Sequence, residues 1–319
     1  MHGAGLHGSS RGRHLTVHSD FIYRRDTKTR RVLNLLLYLN SEWKDEWNGN
    51  IELWDKKMKN KGKDTVMTVT CFKEITELIL EQLNHSHQLM LGSACLAIGE
   101  IGRCTKLPLE DSGKEDDITN KLAVVKKLLS LMKSGKSSMR VRERAALAVG
   151  QLCIGDASFP HRDIVIKGFL EAIQEIKEVE LHLTMGEALV YAVIGPLSPM
   201  GRDLWTVDEQ EFKPVYDVEI SDSYMTGVLE DLMGKYMIST HPNVKQGSCI
   251  FLLALLQHGK THAQVKDKLT AIQSSFMSLL GDNNDMVQDT ASKGLGVVYE
   301  ACSEDQRDEM VGSLLQTLL

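Results

Sequence analysis

The sequence lacks several features that mark particular protein classes. Its apolar runs, of which Ile250–Leu256 is among the longest, are far shorter than the ~18 residues of a membrane-spanning helix. The polar N-terminus argues against a secretory signal. The six cysteines form no C-x-x-C pair, and no histidine stands at zinc-ligand spacing from them. We therefore expect reduced thiols, no membrane span, and a protein of the cytoplasm and also of the nucleus.

Charge and composition divide the chain near residue 60. Residues 1–60 hold 11 Lys/Arg against 7 Asp/Glu, whereas residues 61–319 hold 26 against 36. Three of the four tryptophans and none of the six prolines fall in the first part. This shift predicts two domains, 1–60 and 61–319. The acidic second part argues against nucleic acid as a partner, since phosphate binding needs a basic face, and it favours a protein partner.

The second part contains a repeat built on small residues. Five segments share the pattern: 91–99, 142–150, 185–193, 246–254 and 288–296. Their anchor residues are Ala94, Ala145, Ala188, Cys249 and Ala291, at spacings of 51, 43, 61 and 42 residues. HEAT repeats have a period of ~40–47 residues. Turn-forming or charged insertions explain the two long intervals, and we expect loops at 106–117 and 195–222.

An amphipathic helix precedes each of these segments. The predicted leading helices are 72–83, 118–132, 164–176, 225–237 and 265–280, and in each the apolar side chains recur every three or four residues. Glycine and alanine in the second helix of each pair allow close packing, so the fold class is mainly α, a HEAT-repeat α-solenoid of about five helix pairs. Residues 305–319 begin a sixth leading helix, which predicts that the array is part of a longer one.

Functional motifs are scarce in this helical part. It contains no G-x-S-x-G, no G-x-x-x-x-G-K-[ST] and no H-E-x-x-H, so we predict no catalytic and no cofactor-binding residues there. Its scattered histidines, including His182 and His258, have no partner carboxylates at consistent spacing and are assigned no role.

Several stretches of residues 65–319 resemble the Ecm-twenty-nine family of proteasome-associated adaptor and scaffold proteins. They are Gly186–Val190, Ser198–Val207, Thr261–Phe276, and Asp282–Asp285 leading into Gln288–Glu300. The resemblance implies a non-catalytic scaffold that binds the proteasome core and regulatory particles. It also implies roles in proteasome assembly and in ubiquitin-dependent degradation, including that associated with the endoplasmic reticulum. Because proteins of that family are several times longer, we expect this chain to represent an interior segment.

The first sixty residues differ in character, with β-branched and aromatic runs that predict strands. His14–Ile22, Arg30–Asn40 and Trp43–Asp55 resemble the 2-oxoglutarate and iron(II)-dependent oxygenases of the prolyl 4-hydroxylase superfamily. The resemblance implies a short β-rich fragment of an incomplete double-stranded β-helix. It also implies that His18 and Asp20 are two of three iron ligands, with the third ligand and the 2-oxoglutarate-binding base absent.

Two functions therefore compete at this stage. The first is a protein-binding scaffold that needs no cofactor. The alternative is an iron(II)- and 2-oxoglutarate-dependent prolyl-hydroxylase-type oxidoreductase, here incomplete. The two halves of the chain represent either a true fusion or two neighbouring genes read as one, and an adaptor for an unrelated partner is a third interpretation, because one fold hosts many functions.

Overall fold

The structure is a computed structural model, and it describes residues 23–24, 29–30, 72–104, 106–111, 120–156, 158–194, 218–260 and 262–318. The chain divides into two compact units, Met1–Ile75 and Thr76–Leu319. In the first unit, strands β1 (Tyr23–Arg24) and β2 (Thr29–Arg30) pair antiparallel, with Tyr23 opposite Arg30. The other strands predicted for residues 1–60 fall outside the described residues.

From Phe72 onward the regular structure of the described residues is mainly α-helical. In chain order the α-helices are α1 (Phe72–Glu81), α2 (Gln88–Cys104), α3 (Lys121–Lys133), α4 (Met139–Gln151), α5 (Arg162–Glu175), α6 (Val179–Ile194), α7 (Val218–Asp231), α8 (Pro242–Gly259), α9 (Ala263–Asp267), α10 (Leu269–Met277), α11 (Asp285–Ala301) and α12 (Glu304–Leu318). A 3-10 turn, Gln82–Asn84, follows α1, and a π-helical turn, Leu232–Tyr236, follows α7. Over the same described stretches the only β interaction is an isolated bridge between Glu110 and Asn120.

The second helices of the five pairs pack side by side in one row. This second-helix row consists of α2, α4, α6, α8 and α11, each in contact with the next. Small residues set the close approach, because a Cβ placed on Gly99 would lie 2.9 Å from Ala148 Cα and one on Gly150 would lie 2.8 Å from Ala188 Cα. The leading helices cover one side of this row. The row therefore forms the continuous core that the repeat predicts.

The five anchor residues confirm the predicted repeat. Ala94, Ala145, Ala188, Cys249 and Ala291 are each at most 3% exposed. Large side chains of the leading helices and of the second-helix row fill the space between these two sets of helices. They include the fully buried Phe169, Phe251 and Phe276. The predicted mainly α solenoid of five helix pairs is confirmed, and α12 forms the predicted sixth leading helix.

Some predicted helix limits were wrong, for local reasons. The second leading helix begins at Lys121, because Asn120 is extended and its side chain accepts a hydrogen bond from the Ala123 amide at 2.8 Å, which caps the helix. The predicted loop 195–222 ends early, since Val218 already lies in α7. The predicted helix 265–280 is divided at Lys268, whose φ of −104° and ψ of 9° leave the helical region.

Candidate functional site

The two metal ligands implied by the sequence, His18 and Asp20, lie outside the described residues. Within the residues that the structure does describe, no group of three or more His, Cys, Asp or Glu side chains could hold a metal ion. These residues therefore do not fit an iron centre.

The buried cysteines are poor nucleophiles. Burial raises the pKa of Cys95, Cys153 and Cys249 to about 12, so their thiols are protonated near neutral pH. Cys302 is also buried, and the pKa of its thiol is raised for the same reason. These four side chains act as small apolar residues of the core.

A buried chain of hydrogen bonds crosses three repeats, and it contains a histidine to which the sequence assigned no role. The ring Nε2 of His182 lies 3.1 Å from the Ile176 carbonyl oxygen, and Nδ1 lies 3.1 Å from Nε2 of Gln246. The amide oxygen of Gln246 in turn accepts from Asn284 Nδ2 at 3.3 Å. Asn284 caps α11 by accepting from the Met286 amide at 2.9 Å. We call this set of residues the His182 chain, and it ties α6, α8 and α11 together.

Several polar groups on the second-helix row hydrogen-bond to one another. Arg103 donates to Glu100 at 2.6 Å, and Gln151 of the next helix lies 3.5 Å from the other carboxylate oxygen of Glu100. On α6, the Tyr191 hydroxyl donates to Glu187 at 2.7 Å. Burial and the neighbouring Glu187 carboxylate raise the pKa of Tyr191. These groups stabilise the row, and none is arranged as a nucleophile with a base.

An ion pair also links the second and third repeats. The Arg142 guanidinium donates to Glu178 at 2.6 Å and, through Nε, to the Met132 carbonyl oxygen at 2.9 Å. The hydrogen bond from Arg142 lowers the pKa of Glu178 to about 2. The pair therefore remains ionised throughout the physiological range.

Two shallow grooves open on the described surface. One, of about 350 Å³, lies between α3 and α5, where Lys126, Lys133 and Lys167 surround an apolar floor of Leu129 and Ile164. The other, of about 300 Å³, lies between α11 and α12 and is mainly apolar. Both grooves are wide open to solvent and neither encloses a cluster of reactive groups. The geometry therefore suits contact with another macromolecule better than burial of a small substrate.

Positive charge is concentrated in one repeat. Residues 120–156 contain eight Lys/Arg against two Asp/Glu, although the chain as a whole carries a net charge of −6. Four of these cations, Lys127, Lys136, Arg140 and Arg144, form no ion pair with a described carboxylate. The sequence reasoning averaged charge over residues 61–319 and missed this local excess.

The helices are too short or too polar for a membrane span wherever the structure describes them.

Comparison with known proteins matches both parts of the chain. Residues 4–89 match the family model of the 2OG-Fe(II) oxygenase superfamily. The human proteasome adapter and scaffold protein ECM29 is 39% identical over 76% of this chain and 13% of its own length. The Drosophila melanogaster proteasome-associated protein ECM29 homolog is 25% identical over 92% of this chain and 16% of its own length. In Saccharomyces cerevisiae, the proteasome component ECM29 is 32% identical over 33% of the chain and 6% of its own length.

Solved structures similar to the chain include an engineered protein and designed armadillo repeat proteins. An engineered protein covers 77% of this chain at 16% identity with a TM-score of 0.35. Computationally designed armadillo repeat proteins for modular peptide recognition cover 75% at 14% identity with a TM-score of 0.33. The fold assignment rests on the helix packing described above.

The sequence relatives decide the family. The chain spans at most 16% of the length of these curated relatives, so it corresponds to a fraction of each of them. Its resemblance to the family is confirmed by four relatives, all of them ECM29 proteins. The helical part of this chain is therefore homologous to a segment of the ECM29 family, and it follows residues that match the 2OG-Fe(II) oxygenase superfamily.

Proposed function

We propose that residues 61–319 act as a non-catalytic protein-binding scaffold whose partner is the proteasome. The observation that carries the proposal is the 39% identity to the human proteasome adapter and scaffold protein over 76% of the chain. The solvent-exposed faces of the leading helices and of the second-helix row support it, because a solenoid presents long surfaces rather than a closed pocket. The proposal places the chain in the cytoplasm and nucleus, with the domain boundary near residue 60.

Capture of proteasomes tests this function. The full tagged chain is incubated separately with purified core particle, regulatory particle and their assembled complex, and retained subunits are identified by mass spectrometry. We expect retention of at least one particle. A Gly150→Leu variant is the control, because a large side chain against Ala188 should disrupt the second-helix row and reduce capture. Failure of the wild-type chain to retain any of the three would contradict the proposal.

The oxygenase match of residues 4–89 supports a second candidate function. His18 and Asp20 would be two ligands of an iron(II) that, with 2-oxoglutarate, supplies oxygenase chemistry when bound. Two ligands hold iron weakly, so we propose that the chain does not turn over 2-oxoglutarate.

Succinate release measures this directly. The full chain is incubated with iron(II), ascorbate and 2-oxoglutarate, beside His18→Ala and the matched His14→Ala variant. We expect no release above background in any of the three. Release that is lost in His18→Ala and kept in His14→Ala would establish the oxygenase instead.

A further inference from the structure

Two arginines on the exposed side of α4 lie one helical turn apart. Arg140 is exposed and Arg144 is half-buried, and neither pairs with a described carboxylate. Burial and then the neighbouring charge of Arg140 lower the pKa of Arg144. Like charges at this spacing destabilise a helix, and an added carboxylate would relieve the repulsion. The pair is therefore suited to an anionic group from outside the solenoid.

An exposed leucine flanks the pair on each side. Leu89 of α2 is 48% exposed and Leu183 of α6 is 54% exposed, whereas most leucines of the second-helix row are buried. A Cβ on Gly92, one turn after Leu89, would lie 3.3 Å from Arg144 Nη1 and 3.4 Å from Val141 Cγ2, which brings Leu89 level with Arg140. We call Leu89, Arg140, Arg144 and Leu183 the Leu–Arg–Leu patch.

The position of Leu183 follows from the next contact along the row. Gly150 of α4 packs on Ala188 of α6. Leu183 precedes Ala188 by five residues and Arg144 precedes Gly150 by six, so in parallel neighbouring helices they lie at nearly the same level. The arginine pair therefore lies between the two leucines on three adjacent helices.

The spacing of these helices selects a peptide conformation. Packed helix axes are ~8–10 Å apart, so two steps separate the leucines by roughly 20 Å. A polyproline II segment advances ~3.1 Å per residue with three residues per turn, so every third side chain points the same way at intervals of ~9 Å. Three such side chains reach from Leu89 past the arginines to Leu183.

The acidic neighbours of the patch decide which anion fits. Glu143 lies on α4 with Arg140 and Arg144, and Glu180 and Glu187 lie on α6 with Leu183. A ligand with one negative charge per residue would be repelled by these carboxylates. A single carboxylate between two apolar side chains would place only one charge there, between the arginines. This arrangement disfavours a nucleic acid strand and favours a protein segment.

We propose that the Leu–Arg–Leu patch binds an extended protein segment that carries a hydrophobic residue, an acidic residue and a second hydrophobic residue at every third position. The carboxylate lies between Arg140 and Arg144, and the two hydrophobic side chains pack on Leu89 and Leu183. The proposal rests on the scaffold function proposed above and supplies the chemistry of one partner contact.

Fluorescence anisotropy with the full chain tests the patch. The probe is a fluorescein-labelled peptide with leucine, glutamate and leucine at every third position and proline and serine between them. We expect Arg140→Glu to weaken binding about tenfold and added salt to weaken it further. Leu183→Ser should also weaken it. The matched controls Lys136→Glu, in the α3–α4 turn, and Leu78→Ser, an exposed leucine of α1, should bind as the wild type does.

Charge exchange separates a direct contact from a loss of folding. Replacing the peptide's glutamate by lysine should abolish binding to the wild type and restore it to the Arg140→Glu, Arg144→Glu double variant. The proposal would be overturned if Arg140→Glu or the double variant bound the glutamate-containing peptide with the affinity of the wild-type chain. An oligonucleotide that binds through Arg140 irrespective of Leu89 and Leu183 would also overturn it.

Proteasome capture by the same variants distinguishes the two proposals. If the peptide binds as expected and the wild-type chain captures no proteasome, the patch stands and the scaffold function fails. If the peptide does not bind while the wild type and Arg140→Glu capture proteasomes equally, the scaffold function stands and the patch proposal fails.

Discussion

His182 and Gln246 are 64 residues apart in sequence, yet their side chains are joined by a 3.1 Å hydrogen bond in the buried core. The Ile176 carbonyl can only accept, so the His182 proton is on Nε2, and Nδ1 accepts from the Gln246 amide. Asn284 then donates to the Gln246 oxygen and accepts from the backbone of α11. Each hydrogen bond along the His182 chain joins a donor to an acceptor when the histidine is neutral.

The His182 chain predicts acid sensitivity. Burial lowers the pKa of His182, although the Ile176 carbonyl and Glu178 oppose the shift. As the pH falls, the unfolded chain binds the proton at a higher pH than the folded chain does. The stability that neutral His182 contributes is therefore present above its ordinary pKa of about 6.5 and is lost as the pH falls below that value. We expect the free energy of unfolding to fall between pH 7 and 5 with a slope of up to ~1.4 kcal/mol per pH unit from this residue.

Urea denaturation of His182→Gln across that pH range measures this contribution. The variant should be less stable at pH 7 by about 1–3 kcal/mol, since it disrupts buried hydrogen bonds, and its slope with pH should be shallower. The exposed His241→Gln variant is the matched control and should keep the wild-type slope. Parallel slopes for the wild type and His182→Gln would show that the histidine is not held neutral.

The Arg142–Glu178 pair predicts a second pH dependence at lower pH. With its pKa lowered to about 2, Glu178 contributes stability that is present above its ordinary value of about 4.5 and is lost as the pH falls towards 2. The Glu178 side chain is 40% exposed, so solvent screening keeps the effect of Glu178→Gln below about 1 kcal/mol at pH 7. The difference between variant and wild type should shrink towards pH 2.

The control for that measurement is Glu171→Gln. Glu171 is 49% exposed and pairs with Lys167 at 3.8 Å within one helix, so we expect no measurable change at either pH. A stability difference for Glu178→Gln that stays constant down to pH 2 would assign its effect to packing rather than to charge.

The sequence predicted the repeat because its signal is local. The anchors Ala94 and Ala145 recur with a helix-pair period, and each helix carries its own apolar stripe. Boundaries set by a single side chain were predicted less well. The cap by Asn120 and the break at Lys268 depend on backbone angles that periodicity does not encode.

The candidate site was harder to predict, because its contacts join residues distant in sequence. His182 is polar in an apolar helix, which reads locally as an isolated histidine, and its partner Gln246 belongs to another repeat. The excess of positive charge around Arg140 disappears when charge is averaged over an acidic domain. Exposure of Leu89 and Leu183 likewise depends on which side of the second-helix row faces solvent, and this follows from the packing alone.

The buried thiols predict a pattern of chemical modification. With their pKa values raised to about 12, Cys95, Cys153 and Cys249 should resist iodoacetamide at pH 8 while the chain is folded. Peptide mapping by mass spectrometry after a timed exposure measures each site. The same reaction in guanidinium should label all three. Equal labelling of Cys95 in the native and unfolded chain would contradict its burial in α2.

The last prediction contrasts two glycines at the same repeat position. Gly150 and Gly296 each follow their anchor, Ala145 or Ala291, by five residues. A Cβ on Gly150 would lie 2.8 Å from Ala188 Cα, whereas a Cβ on Gly296 would have no atom within 4 Å. We expect Gly150→Ala to destabilise the array by ~1–3 kcal/mol, because backbone must move. We expect Gly296→Ala to stabilise it by roughly 0.5–1 kcal/mol, because alanine loses less entropy in a helix.

Thermal unfolding of the two single variants decides this contrast. Both substitutions add one methyl group to a second helix, so their effects on helix propensity are alike, and the opposite signs isolate the contact with the next helix. Gly312→Ala on α12, which also has open space around it, should behave like Gly296→Ala. If Gly150→Ala raised the melting temperature as the other two do, α4 and α6 would not approach as closely as Gly150 and Ala188 indicate. The second-helix row would then lack the tight packing that defines the repeat.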